Sequence, residues 1–224
     1  MFHRVRRLAA AGALSIAIAG LSGLMASPAH AAVAPAALRP STTAVISQVS
    51  TQGPAGIRDE FIELQNVRRT ALNIGGYTVW SCSNTGQLTL LATIPPNTVL
   101  QGSTPRPGSE TGSFYLLANV DYTRATVPDQ VYNGDIQRTG GLLLRSRPTA
   151  NNPMGARLDA VGFSRFNQCT QTLPAQAQTG FADQSNFRVS NTGNNAFDFV
   201  RISPALPRNS TVIMSGTPEQ LQRV

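Results

Sequence analysis

Chemistry in this chain would have to come from carboxylates, because the other catalytic side chains are missing. All 18 basic side chains are arginine, and the only histidines, His3 and His30, lie in the first 31 residues, which read as a leader. The remainder therefore has neither histidine nor lysine. That removes the commonest general base and transition-metal ligand. Ser-His-Asp, Cys-His and Ser-Lys nucleophile systems are excluded with them. Two cysteines are too few for most zinc sites, and lysine-dependent phosphate loops are absent. Carboxylate catalysis, binding of calcium or magnesium, and no catalysis at all remain.

The acids do not assemble a reaction from sequence alone. Glu60 and Glu63 are three apart on a predicted strand, so they point to opposite faces and form no dyad. Glu60 is expected at the mouth of the core, paired with Arg58 or Arg188. Asp129, Asp135, Asp159 and Asp198 could gather around calcium, which needs six to eight oxygens. No compact Asp-x-Asp-x-Asp loop is present, and turn capping is the favoured role. Asn194 and Asn195, beside Asp198, are expected to stabilise a turn rather than to contact a ligand. No catalytic, cofactor or metal residue is assigned.

Arginine offers a second chemistry. Removing the three leader arginines leaves fifteen against eleven acids, a net charge of +4. The clusters Arg68-Arg69 and Arg145-Ser146-Arg147 are candidates for polyanion contact, but a nucleic-acid footprint normally shows a denser stripe with interleaved aromatics. Solvated surface arginine is the favoured reading. Trp80, the sole tryptophan, or an exposed tyrosine is a candidate anchor for a partner.

These residues need a scaffold. Residues 1–31 have a basic start (Arg4, Arg6, Arg7), an apolar stretch from Leu8 to Ala26 and an Ala29-His30-Ala31 cleavage site, the pattern of a secretory signal peptide. An uncleaved anchor is the competing reading. Residues 32–42 read as an Ala/Pro-rich linker, 43–207 as one domain and 208–224 as a loosely ordered tail. An exported chain with an even cysteine count predicts a Cys82–Cys169 disulfide, with two free thiols as the alternative. On the chain-entropy view such a loop stabilises by about 4–5 kcal/mol.

Within the domain, short runs of Val, Ile, Thr, Phe and Tyr alternate with Gly, Pro, Asn and Asp, and sustained helical periodicity is absent. Strands are predicted at Ala44–Ser50, Glu60–Asn66, Tyr77–Ser81, Leu88–Leu91, Ser113–Ala118, Gly141–Arg145, Leu158–Gly162 and Phe197–Ile202. Eight short strands imply an all-β sandwich or barrel. Ile62 and Leu64 should form a core pair, and Tyr77 or Trp80 should fill the space between sheets. Long loops are expected at Gln101–Gly112 and Asn167–Asn186.

The ordered segments Ile46-Ser47-Gln48-Val49, Glu60-Phe61-Ile62-Glu63-Leu64-Gln65-Asn66 and Leu72-x-x-Gly75-Gly76-Tyr77 resemble the start of bacterial lamin-tail domains. Ile94 to Leu100, Phe114 to Ala118, Gly140 to Leu144, Leu158 to Phe163 and Asn191 to Phe199 extend the resemblance in the same order, over roughly Thr43 to Pro207. The resemblance implies an immunoglobulin-like β-sandwich, exported, whose role is binding. It carries over no catalytic residue. Asn191 stands where the family often has aspartate, which puts a metal role for that turn in doubt.

The sequence thus predicts a secreted or envelope-associated, non-catalytic interaction module whose partner is a protein or envelope component. Trp80, Arg68, Arg69, Arg145 and Arg147 are the candidate contacts. A carboxylate-dependent hydrolase and a weak nucleic-acid or polyanion binder are the alternatives.

Overall fold

The computed structural model describes residues 39–102 and 112–212. The predicted leader, most of the linker, the tip of the 101–112 loop and the end of the tail lie outside the described residues.

The chain folds as an all-β sandwich, as its punctuated β-rich sequence predicts. The strands are β1 (Ala44–Ser50), β2 (Phe61–Asn66), β3 (Leu72–Asn73), β4 (Thr78–Cys82), β5 (Leu88–Thr93), β6 (Val99–Leu100), β7 (Phe114–Asn119), β8 (Gln130–Tyr132), β9 (Gly141–Arg145), β10 (Arg157–Gly162), β11 (Ser185–Arg188) and β12 (Phe199–Ile202). A four-residue helical turn, α1 (Asn195–Asp198), precedes β12. One sheet has the order β12-β11-β1-β2-β7-β8, the second β10-β9-β4-β5, and β3 pairs with β6. Pairing is antiparallel except between β7 and β8.

Alternation builds the core. Ile62 and Leu64 of β2 point inward, as expected, and pack with Ile46, Val49, Val79, Leu117, Leu142, Leu144 and Val161. In β1 the inward residues are Ala44, Ile46 and Val49, which breaks a strict period of two. A bulge between Ile46 and Gln48 accounts for it: Ile46 opposes Leu64 while Gln48 opposes Glu63. The extra residue, Ser47, donates to Glu63 Oε1 at 2.6 Å. Bulges of this kind re-aim the side chains that follow.

The predicted strands are present with shifts of at most two residues at their ends, the last among them. There Asn194 caps α1 by accepting from Ala196 N, so the strand begins at Phe199 rather than at Phe197. The expected loop over Asn167–Asn186 ends in β11, which the sequence reading missed.

The expected loose tail begins too early at 208. Residues 203–212 run over the outer side of the six-stranded sheet as a strap. Ala205 packs with Phe61, Leu116 and Ala118. Leu206 exchanges hydrogen bonds with the Gln48 amide at 2.8 and 3.0 Å. Arg208 pairs with Glu63 at 2.7 Å and lies 3.7 Å from the Phe114 ring centroid. Ser210 N donates to Asp129 Oδ2 at 2.9 Å. Phe61, Phe114 and Leu116, though on the outer side, are therefore fully buried.

Candidate binding face

The opposite outer surface, that of the four-stranded sheet, is arranged in rows. Register places residues of β5, β4, β9 and β10 side by side. One row holds Leu88, Cys82, Gly141 and Gly162. The next holds Leu90, Trp80, Leu143 and Ala160. The third holds Thr78, Arg145 and Arg157.

The first row is closed by the disulfide. Cys82 and Cys169 are bonded, as predicted, with Cα atoms 6.3 Å apart. Their cluster contains Leu143 and Ala160, with Trp80 and Leu88 packed against it. The bond therefore pins the turn at 167–170 to the sheet's outside and does not join the two sheets. Glycine is required beneath it. A Cβ on Gly162 would collide with Thr170 Oγ1 and sit 2.6 Å from the Thr170 backbone, and one on Gly141 would sit 3.0 Å from Cys169 Cβ. Asn167 Nδ2 donates to the Cys82 and Ser83 carbonyls at 3.2 and 2.9 Å, which fixes the turn's entry.

The second row is aliphatic apart from Trp80. The indole is half-buried on this outer face, so it does not fill the space between the sheets. Tyr77 packs against the main core instead. Trp80 Nε1 donates to Thr78 Oγ1 at 2.9 Å, which ties the ring to the arginine row. Leu90 beside it is 47% exposed.

In the third row Arg145 and Arg157 oppose each other directly across antiparallel strands. Like charges so placed are destabilising. Neither forms a salt bridge with a carboxylate of the described residues; Arg188, not Arg157, takes Asp159. Arg157 Nη1 reaches the Gln168 carbonyl at 3.3 Å. Its Nε and Nη2, and Arg145 Nε, are shut from solvent and meet no protein acceptor. Burial pulls the Arg157 pKa below its ordinary value, Arg145 adds to the fall and Asp159 opposes it. Sequence reasoning found Arg145 but missed Arg157, because only the β9–β10 register brings them together.

The other candidate arginines, Arg68, Arg69 and Arg147, lie outside these rows. Arg147 donates from Nε and Nη2 to the Gly75 carbonyl at 2.8 and 2.5 Å. Arg68 and Arg69 are exposed in the turn after β2. Burial raises the Tyr77 hydroxyl pKa, and Arg147 and Arg68 both act against that rise.

The acids have structural work. Glu60 corrects the expectation of a mouth position with an arginine partner. It is fully buried, and its carboxyl accepts from Ile136 N at 2.9 Å, Tyr132 Oη at 3.2 Å and Asn119 Nδ2 at 3.4 Å. Arg58 goes instead to Asp121 at 2.9 Å. Arg188 goes to Asp159 at 2.6 Å and Asp198 at 3.1 Å. Without a cation, burial pushes the Glu60 pKa up from 4.5 to about 8, and nearby Asp135 adds to the rise.

Arg188 is the stitch between sheets. From β11 it donates to the Ile46 carbonyl of β1 at 2.8 Å and to Asp159 of β10, while Asp159 accepts from Ile46 N at 2.7 Å. Asp198 also accepts from Thr192 N at 2.7 Å and Gly193 N at 3.1 Å, the turn-capping role predicted for it. Asn195 Oδ1 accepts from Gly162 N and Gln171 N at 3.0 and 2.8 Å, again a structural role. Asp129 instead binds Leu116 N at 2.7 Å on the other sheet. Among the described residues no three metal-ligating side chains gather, and no helix is long and apolar enough to cross a membrane.

Neither a family model nor a curated protein matches the sequence. Among solved structures, the chain is similar to a DUF4876 family protein from Bacteroides thetaiotaomicron VPI-5482, with a TM-score of 0.53 and 10% identity over 80% of this chain and 76% of that one. At that identity the likeness concerns the fold alone.

Proposed function

We propose that this chain is an exported, non-catalytic binding module of lamin-tail type, and that its partner docks on the outer side of the four-stranded sheet. The observation that carries the reading is the juxtaposition of half-buried Trp80 with the opposed Arg145 and Arg157, neither of which forms a salt bridge. Tryptophan and arginine are the side chains that most often dominate binding energy at interfaces. The middle of the other outer surface is already covered by the strap. The disulfide supports a compartment outside the reducing cytosol, and the partner is a protein or envelope component.

The carboxylates support the non-catalytic half. Among the described residues every acid except Asp135 is held by an arginine, a hydroxyl or a backbone N–H. Glu60 has the raised pKa of an acid catalyst, but its carboxyl is enclosed and only Asp135 beside it faces solvent. Hydrolysis at this pair would require the core end to open.

The test is retention of partners from a cell-surface fraction by immobilised wild type, Trp80→Ala and Arg201→Gln, the last on β12 away from this face. Loss with Trp80→Ala and retention with Arg201→Gln is the expected result. Equal recovery by all three overturns the docking face. Turnover of a substrate that Glu60→Gln abolishes would establish the hydrolase instead.

A further inference from the structure

Resting on that reading, we infer that the Arg145–Arg157 row binds a tetrahedral oxyanion, a phosphate or sulfate ester, carried on a sugar that lies against Trp80. Two guanidinium groups directly opposite each other repel, and buried N–H groups without acceptors cost about 1–3 kcal/mol each. Arg145 Nε, Arg157 Nε and Arg157 Nη2 are three such donors on side chains that register places opposite each other, and an oxyanion meets them when the two guanidinium groups turn outward. A three-oxygen oxyanion, doubly charged in a phosphate monoester and singly charged in a sulfate ester, would satisfy the donors and offset the repulsion in one step. The adjoining row supplies an indole fixed through Thr78 and flanked by Leu90 and Leu143, a half-apolar strip suited to the carbon face of a sugar ring.

A single-stranded nucleic acid would use the same charges, but its binding sites carry several aromatics for successive bases. Trp80 has only aliphatic neighbours in its row. A sugar ester is therefore the better fit.

Trp80 is the only tryptophan in the chain, so intrinsic fluorescence reports this site alone. We expect a saturable change on titration with inorganic phosphate or sulfate. Glucose 6-phosphate or a sulfated disaccharide should bind about tenfold more tightly than the free ion, and whichever ester binds better identifies the source of the oxyanion. Arg145→Gln and Arg157→Gln should each weaken binding about tenfold or more, and Arg201→Gln should leave it unchanged. Arg145→Gln should melt no lower than wild type, because it removes a repulsion, so lost binding is not lost folding. No saturable response, or an equal response in the two arginine variants, overturns the assignment. Tighter binding of an oligothymidylate than of either sugar ester overturns the sugar. If these arms fail while a partner is still retained in a Trp80-dependent way, the binding reading stands without the oxyanion.

Discussion

Glu60 sets a stability profile that can be worked out from its surroundings. Its folded pKa of about 8 lies above its ordinary 4.5. Between those values the unfolded chain releases the proton and the native protein keeps it. Stability from this group is therefore complete below pH 4.5, falls as pH rises and is lost above about 8. Glu60→Gln should flatten that fall and leave the variant more stable than wild type by a few kcal/mol at alkaline pH, read from urea midpoints across the range. Arg188 is the reverse case. Arg188→Leu strands Asp159 and Asp198 in the core, and a loss of about 3–5 kcal/mol in the same assay is expected. The inward side of Glu60 was legible, since it shares a strand face with Ile62 and Leu64. Its partners were not: Asn119, Tyr132 and Ile136 lie far along the chain, and no local pattern ties them to residue 60. The choice between Arg58 and Arg188 failed for the same reason, because proximity in sequence favours Arg58 while long-range pairing takes Arg188 to Asp159.

Among the elements, strands with branched or aromatic runs were legible and those without were not. β11 reads Ser-Asn-Phe-Arg, a weak strand by composition, yet it lies between β1 and β12 and is held by both ladders. Tertiary pairing overrides propensity there. β8 is three residues long and pairs in parallel with β7, which no short-range turn signal could announce. The β9–β10 hairpin and the turn at 167–170 make the element scale testable. Gly162→Ala would drive a methyl into Thr170, with an expected cost of about 1–3 kcal/mol. Replacing both cysteines with alanine should lower stability by up to about 4–5 kcal/mol while far-ultraviolet circular dichroism keeps its β signature. The bond holds a turn to one sheet, and Arg188 with Asp159 still joins the two. A variant that loses the β signal would show that the outer bond is needed for the sandwich itself.

For the whole molecule, fold class could be read from alternation and turn residues, but the covering of its two outer surfaces could not. The strap lacks a strand pattern, and its sequence resembles a tail; only Gln48, Glu63 and Asp129, waiting on the sheet, give it a place. Arg208→Ala should show this cheaply. Glu63 would lose its cation and Phe114 its cover, with a loss of about 3 kcal/mol or more expected by denaturant titration. Arg201→Ala, which removes one hydrogen bond to the Ala177 carbonyl, should cost much less.

The strap also dictates an order of assembly. β1 is central in its sheet, yet one of its two neighbours, β11, arrives about 140 positions later, and the lid over Phe61 and Phe114 later still. A chain emerging from its N-terminus must hold β1 half-paired until residues 185–188 arrive, and its outer aromatics bare until the strap follows. Long-range closure of this sort is slow. The nascent protein is then most vulnerable to clumping just before residues 203–212 appear, and a chaperone would serve it best at that moment.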